Sequence, residues 1–153
     1  MTLGTLLTIA AALLPAHADA ARARAGEAAA DLLLVESDEA LVRVAFVWSY
    51  FEAGWQADPR GSNDHGSSCG TMQVSVAQWA DVLPESWTCA AMRADRVLGF
   101  RAGFLVLHHL RGVCGALDGA LRAYATGSCS RGADLVARRC LRAGLTSTCE
   151  VKR

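Results

Sequence analysis

Lysine is all but missing from this chain of 153 residues: Lys152 is the only one, and the other basic residues are arginines. Basic and acidic residues balance at 15 each, so no net field marks the chain for nucleic acid. The six cysteines include no CxxC pair, the spacing on which zinc sites are usually built. There is no internal repeat, no heptad pattern and no low-complexity linker. The apolar run from Leu3 to Leu14 is too short to span a membrane, so no stable membrane insertion is expected. One compact domain, expected as a monomer, is what these absences leave. At this length it buries roughly two thirds of the surface its unfolded chain exposes.

Six cysteines are an even and high count for so short a chain: Cys69, Cys89, Cys114, Cys129, Cys140 and Cys149. They predict three disulfides made in an oxidising compartment, among about 15 possible pairings. A zinc site using His65 and Cys69 of "DHGSSC" is the competing reading, and the missing CxxC pattern argues against it. The opening "MTLGTLLTIAAALLPAHADA" has an apolar run, a proline and then Ala16-His17-Ala18, the layout of a secretory signal cleaved near Ala18. That divides the chain into a signal-like segment, 1–18, and a domain, 19–153. It also predicts a secreted, periplasmic or cell-wall-facing protein, or one delivered by a phage. No Lys or Arg precedes the run. The alternative is an N-terminal helix of the domain that packs Leu3, Leu6, Leu7 and Leu13 on the core.

Helical signals dominate the rest. Residues 19–35 are rich in helix formers. Ser37 and Asp38 offer an N-cap to "EALVRVAFVWSYFE", where Leu41, Val44, Ala45 and Trp48 recur at helical spacing. Four residues beyond Trp48 on that face stands Glu52. Residues 56–70 read as loop, and "QVSVAQWADVL" is open between a short strand and a helix. "RADRVLGFRAGFLVLHHLRGV" reads as one long helix broken at "CGALDG". "ALRAYATG" gives a shorter helix ending at Gly127, and "RGADLVARRCLRAGL" a last one stopped by Gly144. The fold class expected is mainly α with at most a small β element, stapled by disulfides.

A carboxyl group at the end of an apolar stripe loses hydration when ionised, and a group so placed suits general acid catalysis. The other reading of Glu52 is a helix-terminal carboxylate, solvated or paired with an arginine. Its neighbours favour the first. "EAGW", "GTMQV", "GFRAGFLVLHHL" and "LRAYATGSC" occur in an order that resembles the lysozyme-like lytic transglycosylases of the soluble, family-one type and the related goose-type lysozymes. The resemblance runs from about Leu41 to Gly127, more than half of the chain.

The resemblance implies a lysozyme-like fold that cleaves the peptidoglycan glycan strand between N-acetylmuramic acid and N-acetylglucosamine, with no metal or cofactor. Glu52 is then the single catalytic acid and base. Gly70, Met72 and Gln73 line the saccharide cleft, and Tyr124 faces Glu52 with its phenol in hydrogen-bond reach. Trp55, beside the catalytic turn, is the tryptophan expected to stack on a sugar; Trp79 and Trp87 are expected in the core. A hydrolase outcome, as in lysozyme, requires a second carboxylate, for which Asp58 and Asp64 are available. Two positions depart from the family pattern: Ala53 replaces the serine after the catalytic glutamate, and Ala125 the asparagine after Tyr124. Both favour a third outcome, a non-catalytic peptidoglycan-binding domain of the same fold. His108 and His109 are expected to be structural, and the "ARRC" run to be a solvated face in which Arg138 or Arg139 is able to meet an anionic polymer. A bridge between Cys114 and Cys129 would clamp the helix carrying Tyr124, leaving Cys69–Cys89 and Cys140–Cys149 as the most local pairs.

Overall fold

The computed structural model describes residues 1–15, 18–59 and 67–151. Among them are seven helices and one two-stranded sheet, held by three disulfides. The helices are α1 (Leu3–Leu13), α2 (Asp19–Val35), α3 (Glu39–Ala53), α4 (Cys89–Ala94), α5 (Arg96–Cys114), α6 (Leu117–Thr126) and α7 (Ala133–Arg142). The strands β1 (Ser68–Cys69) and β2 (Val74–Ser75) pair antiparallel, Ser68 opposite Ser75 and Cys69 opposite Val74.

Helix α3 is the centre of the core. Asp38, not Ser37, caps it by accepting the backbone N–H groups of Ala40 and Leu41. The apolar stripe Leu41, Val44, Ala45 and Trp48 is buried, as its spacing predicts. The helix ends in "EAGW" because Gly54 takes a left-handed conformation, φ 56°, and its N–H returns to the Tyr50 carbonyl. Trp55 follows, also at positive φ, and its N–H reaches the Ser49 carbonyl. Glu52 therefore occupies the last turn of α3. Helix α7 packs against α3 from a distant part of the chain.

The single long helix expected across residues 93–113 is two. Asp95 ends α4 and starts α5, its carboxylate accepting the N–H groups of Val97 and Leu98. A capping aspartate in extended conformation outweighs the apolar periodicity on either side of it. "QVSVAQWADVL" begins as β2 and continues in turns rather than a helix. Helix α6 ends at Gly127 in left-handed conformation, and Gly144 follows α7 in the same way.

The N-terminal run forms α1, with Leu6, Ile9 and Ala10 buried against the domain. Of the four leucines expected to pack, Leu6 is buried and Leu13 partly so, whereas Leu3 and Leu7 are exposed. Ala16 and His17 of the cleavage pattern lie outside the described residues. No helix among the described residues is long and apolar enough to cross a membrane. The three disulfides are compatible with an extracytoplasmic protein.

The turn between α2 and α3 is clipped to α5 by two side-chain pairs. Glu36 Oε2 lies 2.6 Å from His108 Nε2, and Arg111 donates to Asp38 at 2.9 Å. His108 and His109 are both exposed; the first has this structural partner, and the second meets Trp79 edge-on. Burial disfavours ionised Glu36 and Asp38, yet it is outweighed. The Asp38 N–H and the His108 ring hold the Glu36 pKa below its usual value, and the Leu41 N–H and Arg111 do the same for Asp38. A depressed carboxyl pKa contributes stability that is present above the unfolded value and lost as pH falls through the folded one. The melting temperature should therefore fall as pH drops below 4.5 and then 3.8, the ordinary values of the two groups. In a Glu36→Gln/Asp38→Asn variant that acid limb should be shallower, as calorimetry across the range will read.

Candidate functional site

Glu52 is 31 % exposed at its side chain, and its Oε1 accepts a 2.8 Å hydrogen bond from Arg139 of α7. The Arg139 guanidinium is only 12 % exposed and lies 3.9 Å from the centre of the Trp48 ring. Trp48 in turn meets Tyr124 of α6 edge-on, with ring centres 6.0 Å apart. Tyr124 donates its phenol to the Met72 carbonyl at 2.7 Å. Burial first, and then the negative charge of Glu52, push the Tyr124 pKa far above the ordinary phenol range. The phenol is thus a neutral donor at every working pH. Consecutive contacts lead from Glu52 through Arg139, Trp48 and Tyr124 to the Met72 carbonyl of the "GTMQ" turn, joining motifs spread over residues 52–124 of the sequence.

The turn itself joins β1 to β2. Gly70 and Gln73 both adopt positive φ, 69° and 52°, and the Gln73 N–H and side-chain amide both donate to the Gly70 carbonyl. Two glycines four residues apart on α5 let this turn lie against the helix. A methyl group at Gly99 would sit 3.1 Å from the Thr71 nitrogen, and one at Gly103 would sit 2.6 Å from Met72 Cγ. The glycines of "GFRAGF" are thereby explained: they make a docking strip for the hairpin. Cys69–Cys89 fixes the same hairpin to the start of α4.

Several expected roles need correction. Trp55 is fully buried, stacks on Phe46 and meets Tyr50 at a tilt, with ring-centre distances of 4.9 and 4.7 Å, and donates its indole N–H to the Phe46 carbonyl. It is a core residue; the left-handed turn at Gly54 points its ring inward. Met72 is also buried, against Gly103, so only its carbonyl faces the site. Gly70 approaches Gly99 and Met92, not an open cleft. Tyr124 bonds the Met72 carbonyl instead of Glu52. Gln73 remains partly exposed beside the turn. Asp58 is exposed and pairs with Arg93 at 3.7 Å, while Asp64 and His65 lie outside the described residues.

The three disulfides are Cys69–Cys89, Cys114–Cys129 and Cys140–Cys149, the pairing expected, the second from the clamp on the Tyr124 helix and the other two from sequence separation. With Cys69 bonded to Cys89, the zinc reading through that sulfur is overturned. Among the described residues no group of three or more His, Cys, Asp or Glu side chains is placed to hold a metal ion.

The sequence offers Arg139 only as a contact for an anionic polymer and leaves the arginine partner of Glu52 unnamed; the structure joins the two. Arg139 partners Glu52 across 87 positions, and its signal was confined to an arginine pair in "ARRC". A close arginine partner is the outcome that counts against Glu52 as the catalytic acid. The expectation of an unpaired, desolvated acid is corrected accordingly: in this state Glu52 has a cationic partner. Comparison with family models, curated proteins and solved structures finds no match for this chain.

Proposed function

We propose that the protein is a lysozyme-like enzyme that cleaves the glycan strand of peptidoglycan, with Glu52 as its acid and base. The observation that carries this reading is the chain of contacts that joins Glu52, through Arg139 and Trp48, to Tyr124 and the "GTMQ" turn. A second support is local. A carboxylate in the last turn of a helix faces the negative end of the helix dipole, at a cost of about 0.3–1 kcal/mol, so helix formation does not ask for it. A residue that works against its own element is a functional candidate.

In the reaction that fits a single carboxylate, Glu52 gives its proton to the glycosidic oxygen of the departing N-acetylglucosamine as the bond to the muramic acid C1 breaks. The muramic acid 6-hydroxyl then attacks C1, and its proton returns to Glu52. A 1,6-anhydro ring is left, no water is consumed, and the carboxyl ends in its starting form. Arg139 has to loosen its hold when the strand arrives, because the first step uses the protonated acid. Tyr124 holds the hairpin turn in place and takes no proton. Gln73 presents donors and acceptors to the sugar from the edge of the turn.

The Arg139–Glu52 pair, with Ala53 and Ala125, favours a second reading in which the domain binds glycan without turnover. Mass spectrometry of peptidoglycan after incubation with the purified protein separates the readings. Anhydro-muropeptides are expected; reducing ends mean a hydrolase, and an untouched glycan means the binding domain.

A further inference from the structure

Beside Glu52 lies a second feature that the cleavage chemistry does not use. A cavity of about 140 Å³ is lined by Phe51, Leu135, Arg138, Arg139 and Arg142. Arg139 is already taken by Glu52. Arg138 and Arg142 are exposed, and no carboxylate among the described residues pairs with either. They stand four residues apart on α7, where like charges on one helix face repel by a few tenths of a kcal/mol. Arg142 lies 5.0 Å and Arg139 5.3 Å from the centre of the Phe51 ring, itself 41 % exposed. Arg138 and Arg142, neither paired with a carboxylate among the described residues, line one cavity with the Phe51 ring, and that combination matches a carboxylate carried on a short carbon chain. The cavity is too small for a run of sugar rings, since sites for drug-sized ligands start at about 300 Å³. It is sized for a side group of the strand and not for the strand itself.

We propose that Arg138 and Arg142, in the cavity they share with Phe51, form an anion subsite that takes a carboxylate of the peptide stem borne by the glycan strand. This rests on the reading of Glu52 as the cleavage site, because adjacency to Glu52 is what puts the stem of a bound muramic acid within reach. A carboxylate entering here also competes with Glu52 for Arg139, which lines the same cavity. Stem-bearing strands are then expected to bind more tightly than bare ones.

The test is calorimetric titration of the full chain with a disaccharide-tetrapeptide and with the bare disaccharide. Wild type should bind the stem-bearing form about three- to tenfold more tightly, the range expected of two partly solvated ion pairs. Arg138→Gln/Arg142→Gln should erase that difference, and both substitutions are exposed and keep helix propensity, so an unchanged melting temperature is the folding check. Equal affinity of the wild type for the two ligands, an equal loss for both in the variant, or full affinity for a stem whose carboxylates are capped as amides would overturn the subsite. Inorganic phosphate displacing the stem supports a site for anions in general, and phosphate binding without stem binding overturns the assignment to the stem. If the bare disaccharide does not bind and no strand is cut, the glycan reading has failed, and the free stem tetrapeptide decides the subsite alone: saturable binding lost in the variant sustains it, and no binding ends it.

Discussion

Glu52→Gln should lower cleavage of peptidoglycan by about 10² to 10⁴-fold, the usual cost of losing a general acid and base. The amide keeps the shape of the carboxyl and still accepts a hydrogen bond from Arg139, so the end of α3 should hold and glycan binding should survive. Stability should change by only about 1 kcal/mol, because the lost ion pair is partly solvated and one hydrogen bond remains. Tyr124→Phe should show a smaller loss of turnover, since it removes the donor to the Met72 carbonyl and leaves the proton carrier intact. Gln73→Ala should raise KM more than it lowers kcat, as expected for a residue that positions the sugar. Turnover of the Glu52→Gln protein within tenfold of wild type, with anhydro products still forming, would remove Glu52 from the chemistry.

The local fold was legible where short-range rules act alone. Residues 19–35 and 39–53 are helical because their propensities, the Asp38 cap and the apolar stripe of α3 all agree. Legibility failed where a capping side chain competes with periodicity. Asp95 divides α4 from α5 although the apolar pattern runs through it, because its carboxylate satisfies the first N–H groups of a new helix. In β2 the alternation of "QVSV" lasts long enough for two paired residues, after which turns take over.

At the site, residue types were readable and their directions were not. Tryptophan beside a catalytic turn suggests a sugar platform, but positive φ at both Gly54 and Trp55 rotates the ring into the core. Met72 and Gly70 stand where the motif puts them, yet their side-chain positions serve packing against α5. The Glu52–Arg139 pair is a tertiary fact: no local pattern links residues separated by 87 positions. Cysteine positions were more informative, since short loops close at the lowest entropic cost and all three bridges are local.

Cys69→Ser/Cys89→Ser should be the most damaging disulfide loss at the candidate site. The bridge closes a loop of 20 residues, which corresponds to about 3 kcal/mol of stability by chain entropy. For a domain of this size that is a fall of roughly 6–12 °C in melting temperature. Cys140→Ser/Cys149→Ser closes only 9 residues and should cost less, about 2.5 kcal/mol by the same relation. The first bridge has a further effect because of where it sits. Cys69 is the last residue of β1, directly before the turn whose Met72 carbonyl receives Tyr124, and Cys89 is the first residue of α4. A two-residue strand pair has little stability of its own, so without the bridge the hairpin is held by packing on Gly99 and Gly103 and by the Tyr124 phenol. Adding Tyr124→Phe to the Cys69→Ser/Cys89→Ser protein should therefore cost more than in wild type, with a coupling of about 0.5–1 kcal/mol, since each tether limits the loss of the other. Denaturant titration of the four proteins in that cycle measures the coupling directly. Strict additivity would mean that bridge and phenol hold separate parts of the domain, and the hairpin would then lose its place as the element that joins Tyr124 to the turn.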